Sequence, residues 1–417
     1  MIGRLNPEHR SVTIIGAGIS GLLIGYVLKK KGWQVRILEK THRVGGLIDT
    51  PVTEYGPSET AAHSLMITPE LKGFFDELGV ELLEVNPASK ARYIYRNGKM
   101  RRFPLTLLET LSTLVHFFSR PKKPFSESSG TLQEWCEAYL GKPALRFLLS
   151  PFVTGVFAAD PSELDVSIAF PSLIPQAPER SLFKNLLARS RKSARPRMMT
   201  PKNGMLSVVE RLYFELKNEI HLNTEVTRLP QVPNLIITVP APELANLLAE
   251  VDPESSRKLG QIRYSPLITS TVFLETRSFI EKPPRGVGVL VPRDEGLRIL
   301  GVLFNSSAFS GRTRSPNLHS FTVMVGGTRD PDALRLNEST LSEMMGRDLD
   351  RLFGLRSRPI LMNTTYWRSA IPVYSREVKE ARASLETGFC SAPGRMVFTN
   401  YSKEVSIRGL IQSLLEW

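Results

Sequence analysis

Apolar residues recur along the chain in two rhythms. Contiguous or alternating runs read as strands, and spacings of three and four read as one face of a helix. The first run, Val12-Thr13-Ile14-Ile15, reads as a buried parallel strand. After a glycine-rich turn, Leu22, Leu23, Tyr26, Val27 and Leu28 keep helical spacing, and residues 34–38 form a second β-rich run. Leu71, Phe74, Phe75 and Leu78 predict another helix, with Gly79 placed as its cap. Tyr93-Ile94-Tyr95, then Asn97-Gly98, then residues 100–103 predict a hairpin with a type I′ turn. From Pro104 the pattern turns helical. Leu105, Leu107, Leu108, Leu111, Leu114, Val115, Phe117 and Phe118 crowd one stretch, and 131–140 and 143–149 predict two more pieces. Helices are predicted over 204–216, 242–248 and 338–353, and strands over 220–229 and 235–239. Runs at 269–274, 287–291, 299–304 and 320–325 predict a large, mostly antiparallel sheet. The chain closes with a strand at 396–399 and a helix reaching Leu414.

The opening segment carries a chemical signal. Strand, Gly16-Ala17-Gly18-Ile19-Ser20-Gly21, helix, strand and Glu39 follow the order of a dinucleotide-binding βαβ unit. Gly16 permits the tight turn, Gly18 lets backbone approach a pyrophosphate, and Gly21 lets the helix pack closely on the strand. The helix N-terminus at Ile19 and Ser20 offers free N–H groups and a partial positive charge to phosphates. Glu39 stands close to the roughly 20-residue spacing at which an acid meets a ribose hydroxyl.

Composition bounds the rest. At 417 residues, 41% hydrophobic and 23% charged, the chain suits a soluble globular protein of two or three domains. Two cysteines, Cys136 and Cys390, are too few for a disulfide framework and fit a reducing compartment. Residues 1–7 lack the apolar core of a signal peptide, and no long uninterrupted apolar run predicts a spanning helix, so a cytoplasmic location is expected. A net charge of +13 reads either as a solvated basic surface that aids solubility or as a surface for nucleic acid, anionic lipid or an acidic ligand. No nucleic-acid motif accompanies it, and nucleic acid is not an expected partner. Arg180, Lys184, Arg189, Arg191, Lys192, Arg195, Arg197 and Lys202 form a run without an acid, readable as a solvated loop or as a clamp for carboxylates. The apolar helices after Pro104, bounded by basic residues, read either as a packed subdomain or as a patch meeting anionic headgroups. There is no CxxC, no HExxH and no nucleophile elbow, and six scattered histidines predict no metal site.

Beyond Glu39-Lys40, the residues Arg43, Gly45-Gly46 and Gly56-Pro57 resemble the extended signature of amine-oxidase-like flavoproteins. That resemblance implies FAD, with Arg43 and the glycine pair continuing the pyrophosphate cradle. Phe152-Val153-Thr154-Gly155-Val156-Phe157-Ala158-Ala159-Asp160-Pro161 is similar to the central signature of protoporphyrinogen oxidases. Arg92-Tyr93-Ile94-Tyr95, Phe103-Pro104, Gly288-Val289-Leu290-Val291-Pro292, Leu300-Gly301-Val302-Leu303, Met324-Val325-Gly326-Gly327 and the segment 367–374 are similar to further blocks in the same order. The resemblance implies an α/β fold. It has a Rossmann-type FAD-binding domain (1–85, 200–258, 385–417), a mixed β-sheet substrate domain (86–103, 259–384) and a helical membrane-associating subdomain (104–199). It implies oxidation of a porphyrinogen in three two-electron steps, with oxygen or a quinone as acceptor. The implied setting is the cytoplasmic surface of an anionic membrane; a homodimer is one assembly considered, and the sequence leaves the oligomeric state open. Val226, Trp367 and Val405 would join the FAD contacts. Leu290, Leu303 and Met324 would pack on the tetrapyrrole, with Gly155 along its opposite face; the first two read equally as plain sheet core. No catalytic base is named.

The chain departs from this pattern in places. Only residues 230–234 stand where relatives carry a β-meander, Glu377-Val378 replaces Gly-His, Ala159 replaces a glycine, and no propionate-binding arginine lies among residues 58–63. Thr399-Asn400 replaces Gly-Asn, and Lys403-Glu404-Val405-Ser406 replaces Lys-Gly-Val-Gly. A carboxylate at Glu404 either opposes a reduced flavin or, with the turn shifted, points to solvent. Coproporphyrinogen, an amine or a polyene are alternative substrates, and a non-catalytic FAD- or porphyrin-binding homologue is the alternative class.

Overall fold

The computed structural model describes residues 5–121, 130–174, 180–184, 196–402 and 404–416. Arg189, Arg191, Lys192 and Arg195 of the basic run, and Lys403 of the late turn, lie outside them. Among the described residues the strands form three sheets. The first runs Arg395–Val397, Leu235–Ile237, Ser11–Ile15, Gln34–Leu38, Ile220–His221, all parallel. Ser11–Ile15 sits at its centre and is buried at every position after the first, as a strand covered on both faces must be. The helix Ile19–Lys30 lies against it and buries Leu22, Leu23, Ile24 and Leu28.

The predicted strand 220–229 is a correction: only Ile220–His221 is regular. Asn223 turns the chain at φ 50°, after which Thr224 N–H bonds the Glu39 carbonyl at 2.8 Å. Residues 224–227 thereby leave the sheet and border the cavity described below.

The second sheet runs Leu361–Pro372, Tyr264–Glu275, Leu318–Gly326, Ile299–Leu303, Gly288–Leu290, Arg92–Arg96, Lys99–Arg101. It is antiparallel except where Gly288–Leu290 meets Arg92–Arg96. The hairpin turn has Asn97 at φ 52° and Gly98 at 73°, as type I′ requires. One face, with Val289, Val302, Val323, Ile268 and Val272, packs on Leu341, Met345 and Leu349 of the helix Glu338–Phe353. A third sheet pairs Leu65–Ile67 and Leu82–Glu84 with Arg197–Pro201.

The helical region is split in character. Leu132–Tyr139 buries Leu132, Trp135, Cys136 and Tyr139 in the cluster that holds Val153 and Phe157 of the helix Ser150–Phe157. Leu107–Phe118, started by a capping box of Thr106 and Glu109, buries no residue. Leu107 is 89% and Leu108 80% exposed, and Leu111, Leu114, Val115 and Phe118 are exposed too, so the packed-core reading fails for these six. Arg96 ties the helix to the hairpin through two bonds to Glu109, at 2.7 and 2.9 Å, and lies 3.6 Å over the Phe147 ring. Among the described residues no helix is long and apolar enough to cross a membrane.

Candidate active site

A cavity of about 810 Å³ opens at the carboxyl ends of Ser11–Ile15 and Gln34–Leu38, where open α/β sheets take ligands. Gly16, Gly18, Ile19, Ser20, Glu39, Lys40, Arg43, Gly45, Gly46, Val226 and Val405 all line it. Gly16 holds φ 101°, and a Cβ at Gly21 would stand 2.0 Å from the Gly16 carbonyl oxygen. No side chain caps the helix Ile19–Lys30, which leaves its first-turn N–H groups for a ligand. The two glycine turns lie backbone on backbone: Gly45 N–H donates to the Ala17 carbonyl at 2.9 Å, and a Cβ at Gly46 would be 3.3 Å from Gly18 Cα. Arg43 braces the second turn, donating to the carbonyls of Val44, Gly46 and Ile48. Glu39 accepts from Ala17 N–H at 2.8 Å and from Thr41 N–H and Oγ1 at 2.9 and 2.8 Å, which fixes its carboxylate at the turn.

The charged side chains of the lining are Glu39, Lys40, Arg43, Glu225 and Glu243, the last 3.5 Å from Lys40 Nζ and within electrostatic reach of Tyr264 and Tyr401. The far end is neutral among the described residues: Ala61, Ala62, Ser369, Ala370, Thr399, Asn400, Tyr401 and Val405. Tyr264 also borders the cavity; burial pushes its phenol up to about 12 and raises Tyr401 well above the ordinary tyrosine range, so both stay protonated.

Beyond the far end lies the second sheet's other face. The register places Leu290 beside Gly301, Gly301 beside Met324, Met324 beside Thr269 and Thr269 beside Thr365. Arg92, Gly288, Leu303 and Thr322 form the next row on the same face. Cross-strand partners point to one side of a sheet, so Leu290, Leu303 and Met324 share a face opposite the packed core. All three are half-buried there. The helix Ser150–Phe157 covers one end: a Cβ at Gly155 would be 2.4 Å from Leu290 Cδ2, and one at Gly301 3.3 Å from the same atom. The loop at Thr60 covers the other end, its carbonyl accepting from Thr269 Oγ1 at 3.0 Å and Trp367 Nε1 at 2.8 Å. Ala61 and Ala62 then pass directly into the cavity wall.

Four expected contacts lie outside the cavity lining. Gly21 packs on Gly16, Trp367 holds Thr60, and Gly56 packs on the Arg312 backbone, where a Cβ would be 2.7 Å from its carbonyl oxygen. Pro57 borders a separate space of about 30 Å³ with Leu303, His63, Glu59 and Arg312. Arg312, 5% exposed, donates to Thr200 Oγ1 and the Pro201 carbonyl at 2.8 Å and stands 3.7 Å from Glu59. Burial takes His63 down to about 4, so it is neutral.

The sequence profile described as "Flavin containing amine oxidoreductase" matches residues 19–388. The chain belongs to that family. It is an FAD-dependent oxidoreductase. Protoporphyrinogen oxidase 2, chloroplastic/mitochondrial, of Arabidopsis thaliana is 27% identical over 97% of this chain and 92% of its own. Coproporphyrinogen III oxidase of Bacillus subtilis is 21% identical over 92% and 93%. A crystal structure from Exiguobacterium sp. 255-15, solved as a candidate protoporphyrinogen oxidase, aligns at TM-score 0.77 and 18% identity over 97% of this chain and 96% of that one.

The residues present fit FAD: a double glycine cradle and an open helix N-terminus that would take a pyrophosphate, Glu39 where it would meet a ribose, and a far end without charge that would take the ring. Glu404 does not line the cavity. Its side chain is exposed and lies on the C-terminal helix Ile407–Leu415, where a Cβ at Gly409 would meet Glu404 Oε2 at 2.7 Å. Sequence reasoning missed Ser369, Ala370, Tyr401 and Glu243 of the lining. Ser369 and Ala370 sit inside the segment 367–374 that the family resemblance had singled out; the others carry no local pattern.

Proposed function

We propose that this flavoenzyme oxidises a porphyrinogen, protoporphyrinogen IX foremost, to the porphyrin in three two-electron steps. The reading rests on one observation: Leu290, Leu303 and Met324 share a sheet face between the Gly155 helix and the Thr60 loop. Three large apolar side chains set among glycines and threonines give a wall on which a flat macrocycle could lie, and such a ring gains most from burial. Leu290 fills the space against the Gly155 helix, so a ring would enter only by displacing Leu290 into another rotamer. Arg92, exposed in the row of Gly288 and Leu303, offers a cation for a carboxylate at the rim.

FAD supplies the two-electron acceptor. The far-end residues Ala61, Ala62, Thr399, Asn400 and Tyr401 would orient and seclude it. Oxygen or a quinone would serve as the final acceptor. The apolar face of Leu107–Phe118 would rest on an anionic membrane at the cytoplasmic surface, delivering an oily substrate.

A second reading, coproporphyrinogen, is favoured by the similarity to the Bacillus subtilis enzyme over most of both chains. Porphyrin fluorescence should appear when the FAD-loaded protein meets protoporphyrinogen in air, faster than with coproporphyrinogen in a competition assay. Preference for coproporphyrinogen would select the second reading, and bound flavin that no porphyrinogen reduces would reject both.

A further inference from the structure

The helix Ser150–Phe157 stands over the sheet face at Leu290 without sharing an apolar core with the sheet, among the described residues. It buries Val153 and Phe157 with Leu132, Trp135 and Leu164, whereas the sheet buries Val289, Val302 and Val323 against Leu341 and Leu349. Between the two, Leu290 reaches into the space at Gly155. A close-packed core would dictate their separation by itself. Here polar contacts from the sheet reach across to both ends of the helix instead.

Those contacts come from the chain just past Met324. The strand Leu318–Gly326 runs into Gly327, at φ 73°, which passes so near the helix end that a Cβ there would be 2.5 Å from the Ala158 carbonyl oxygen. Ala158 itself ends the helix in the left-handed conformation, φ 51°, which is uncommon for a residue with a side chain. Thr328 N–H donates to the Ala158 carbonyl at 2.8 Å, and Asp160 N–H donates to Thr328 Oγ1 at 3.1 Å. Arg329 completes the joint. Its Nε donates to Asp160 Oδ2 at 3.1 Å and its Nη2 to Ser150 Oγ, so one guanidinium holds the residue that begins the helix and one that follows its end. The Arg329 side chain is 10% exposed and that of Asp160 25%, which leaves the pair little screened by water and salt. On the N-terminal side a second cation from the sheet, Arg96, lies over Phe147 in the π-helical turn Leu145–Leu149 that leads into the helix.

We propose that Arg329 is a positioning residue for the gap under this helix: by holding Ser150 and Asp160 at once, it sets the height of Gly155 above Leu290, and with it how readily Leu290 turns aside for a ring. The proposal rests on reading that gap as the porphyrinogen's place. Holding two partners needs a planar fork with donors in fixed directions, which a lysine lacks.

The test uses the full chain loaded with FAD, in wild type, Arg329→Met, Arg329→Lys and Ser150→Ala, each built a second time with Leu290→Cys. Steady-state oxidation of protoporphyrinogen gives kcat and KM, and flavin fluorescence gives FAD binding. In the second set, mass spectrometry follows iodoacetamide alkylation of the thiol introduced at position 290, with the buried Cys136 and Cys390 as background. Arg329→Met should speed that alkylation at least tenfold and lower kcat/KM at least tenfold, chiefly through KM, with FAD binding within twofold of wild type. Arg329→Lys should recover the melting temperature but neither KM nor the slow alkylation, because an ammonium holds one partner at a time. Ser150→Ala removes one arm alone and should speed alkylation at least threefold at an unchanged melting temperature. An alkylation rate within twofold of wild type in Arg329→Met, or full rescue by Arg329→Lys, would reduce Arg329 to a structural ion pair and overturn the proposal. If Arg329→Met does not fold, an unmoved rate in Ser150→Ala overturns it equally. Should wild type oxidise no porphyrinogen, the substrate reading falls, and the alkylation rates alone still decide whether Arg329 holds the gap.

Discussion

Gly155 and Leu290 show how tightly single positions are specified. A methyl group at Gly155 would stand 2.4 Å from Leu290 Cδ2, so Gly155→Ala must push Leu290 off the sheet. It should destabilise by about 1–3 kcal/mol in a denaturant melt. On the proposed function, kcat/KM for a porphyrinogen should fall at least tenfold while bound FAD stays at the wild-type level. Gly21→Ala has the opposite signature: its Cβ meets the Gly16 carbonyl at 2.0 Å, and the purified protein should lose most of its yellow colour. His63 adds a pH effect. Unfolded, it takes a proton near 6.5; folded, burial holds that to about 4. Between those values the unfolded chain binds more protons, so stability is full above pH 6.5 and falls as pH drops towards 4, by up to roughly 3 kcal/mol. Urea melts across that range should show this slope, and His63→Gln should flatten it. Gly16, Gly18 and Gly21 were legible because their spacing is local. The setting of His63, Glu59 and Arg312 was not, since contacts between residues more than a hundred positions apart leave no period in the sequence.

At the scale of elements, periodicity found the helices and the direction of the sheets but not what covers each face. Leu107–Phe118 has apolar residues around much of its circumference, and such a helix reads the same whether it is packed or exposed. The strand Leu361–Pro372 went unforeseen because its edge position leaves it rich in Thr, Asn, Arg and Ser. The run 220–229 looked like a strand and is diverted after His221 by Asn223 and its neighbours bonding to the Glu39–Thr41 backbone. The exposed helix makes a direct prediction. Replacing both Leu107 and Leu108 with Ser removes two side chains that touch little of the protein, so the melting temperature should hold. Cosedimentation with vesicles containing anionic lipid should fall at least tenfold, since each leucine contributes about 1.5–3 kcal/mol when buried in an apolar phase. Equal cosedimentation of the two proteins would remove this helix from any membrane contact.

Across the whole molecule, the cavity beside the glycine turns gathers residues from Ile15 to Leu410, joining the first strand, the Thr60 loop, the edge strand and the late turn. Binding in such a place ties distant segments together, and at a hundredfold excess over its dissociation constant FAD should add about 2.7 kcal/mol to stability. Glu39→Ala should lose much of that gain, because the carboxylate it removes also anchors Ala17 and Thr41. The same cavity meets the Leu290–Met324 face through Ala61, Ala62 and Trp367, and this junction is where the porphyrinogen reading stands or fails. The decisive measurement is an anaerobic titration of the FAD-loaded protein with protoporphyrinogen, following flavin absorbance and porphyrin fluorescence together. Three two-electron steps predict one porphyrin released for every three flavins bleached. A flavin that stays oxidised, or bleaches without any porphyrin forming, contradicts the account.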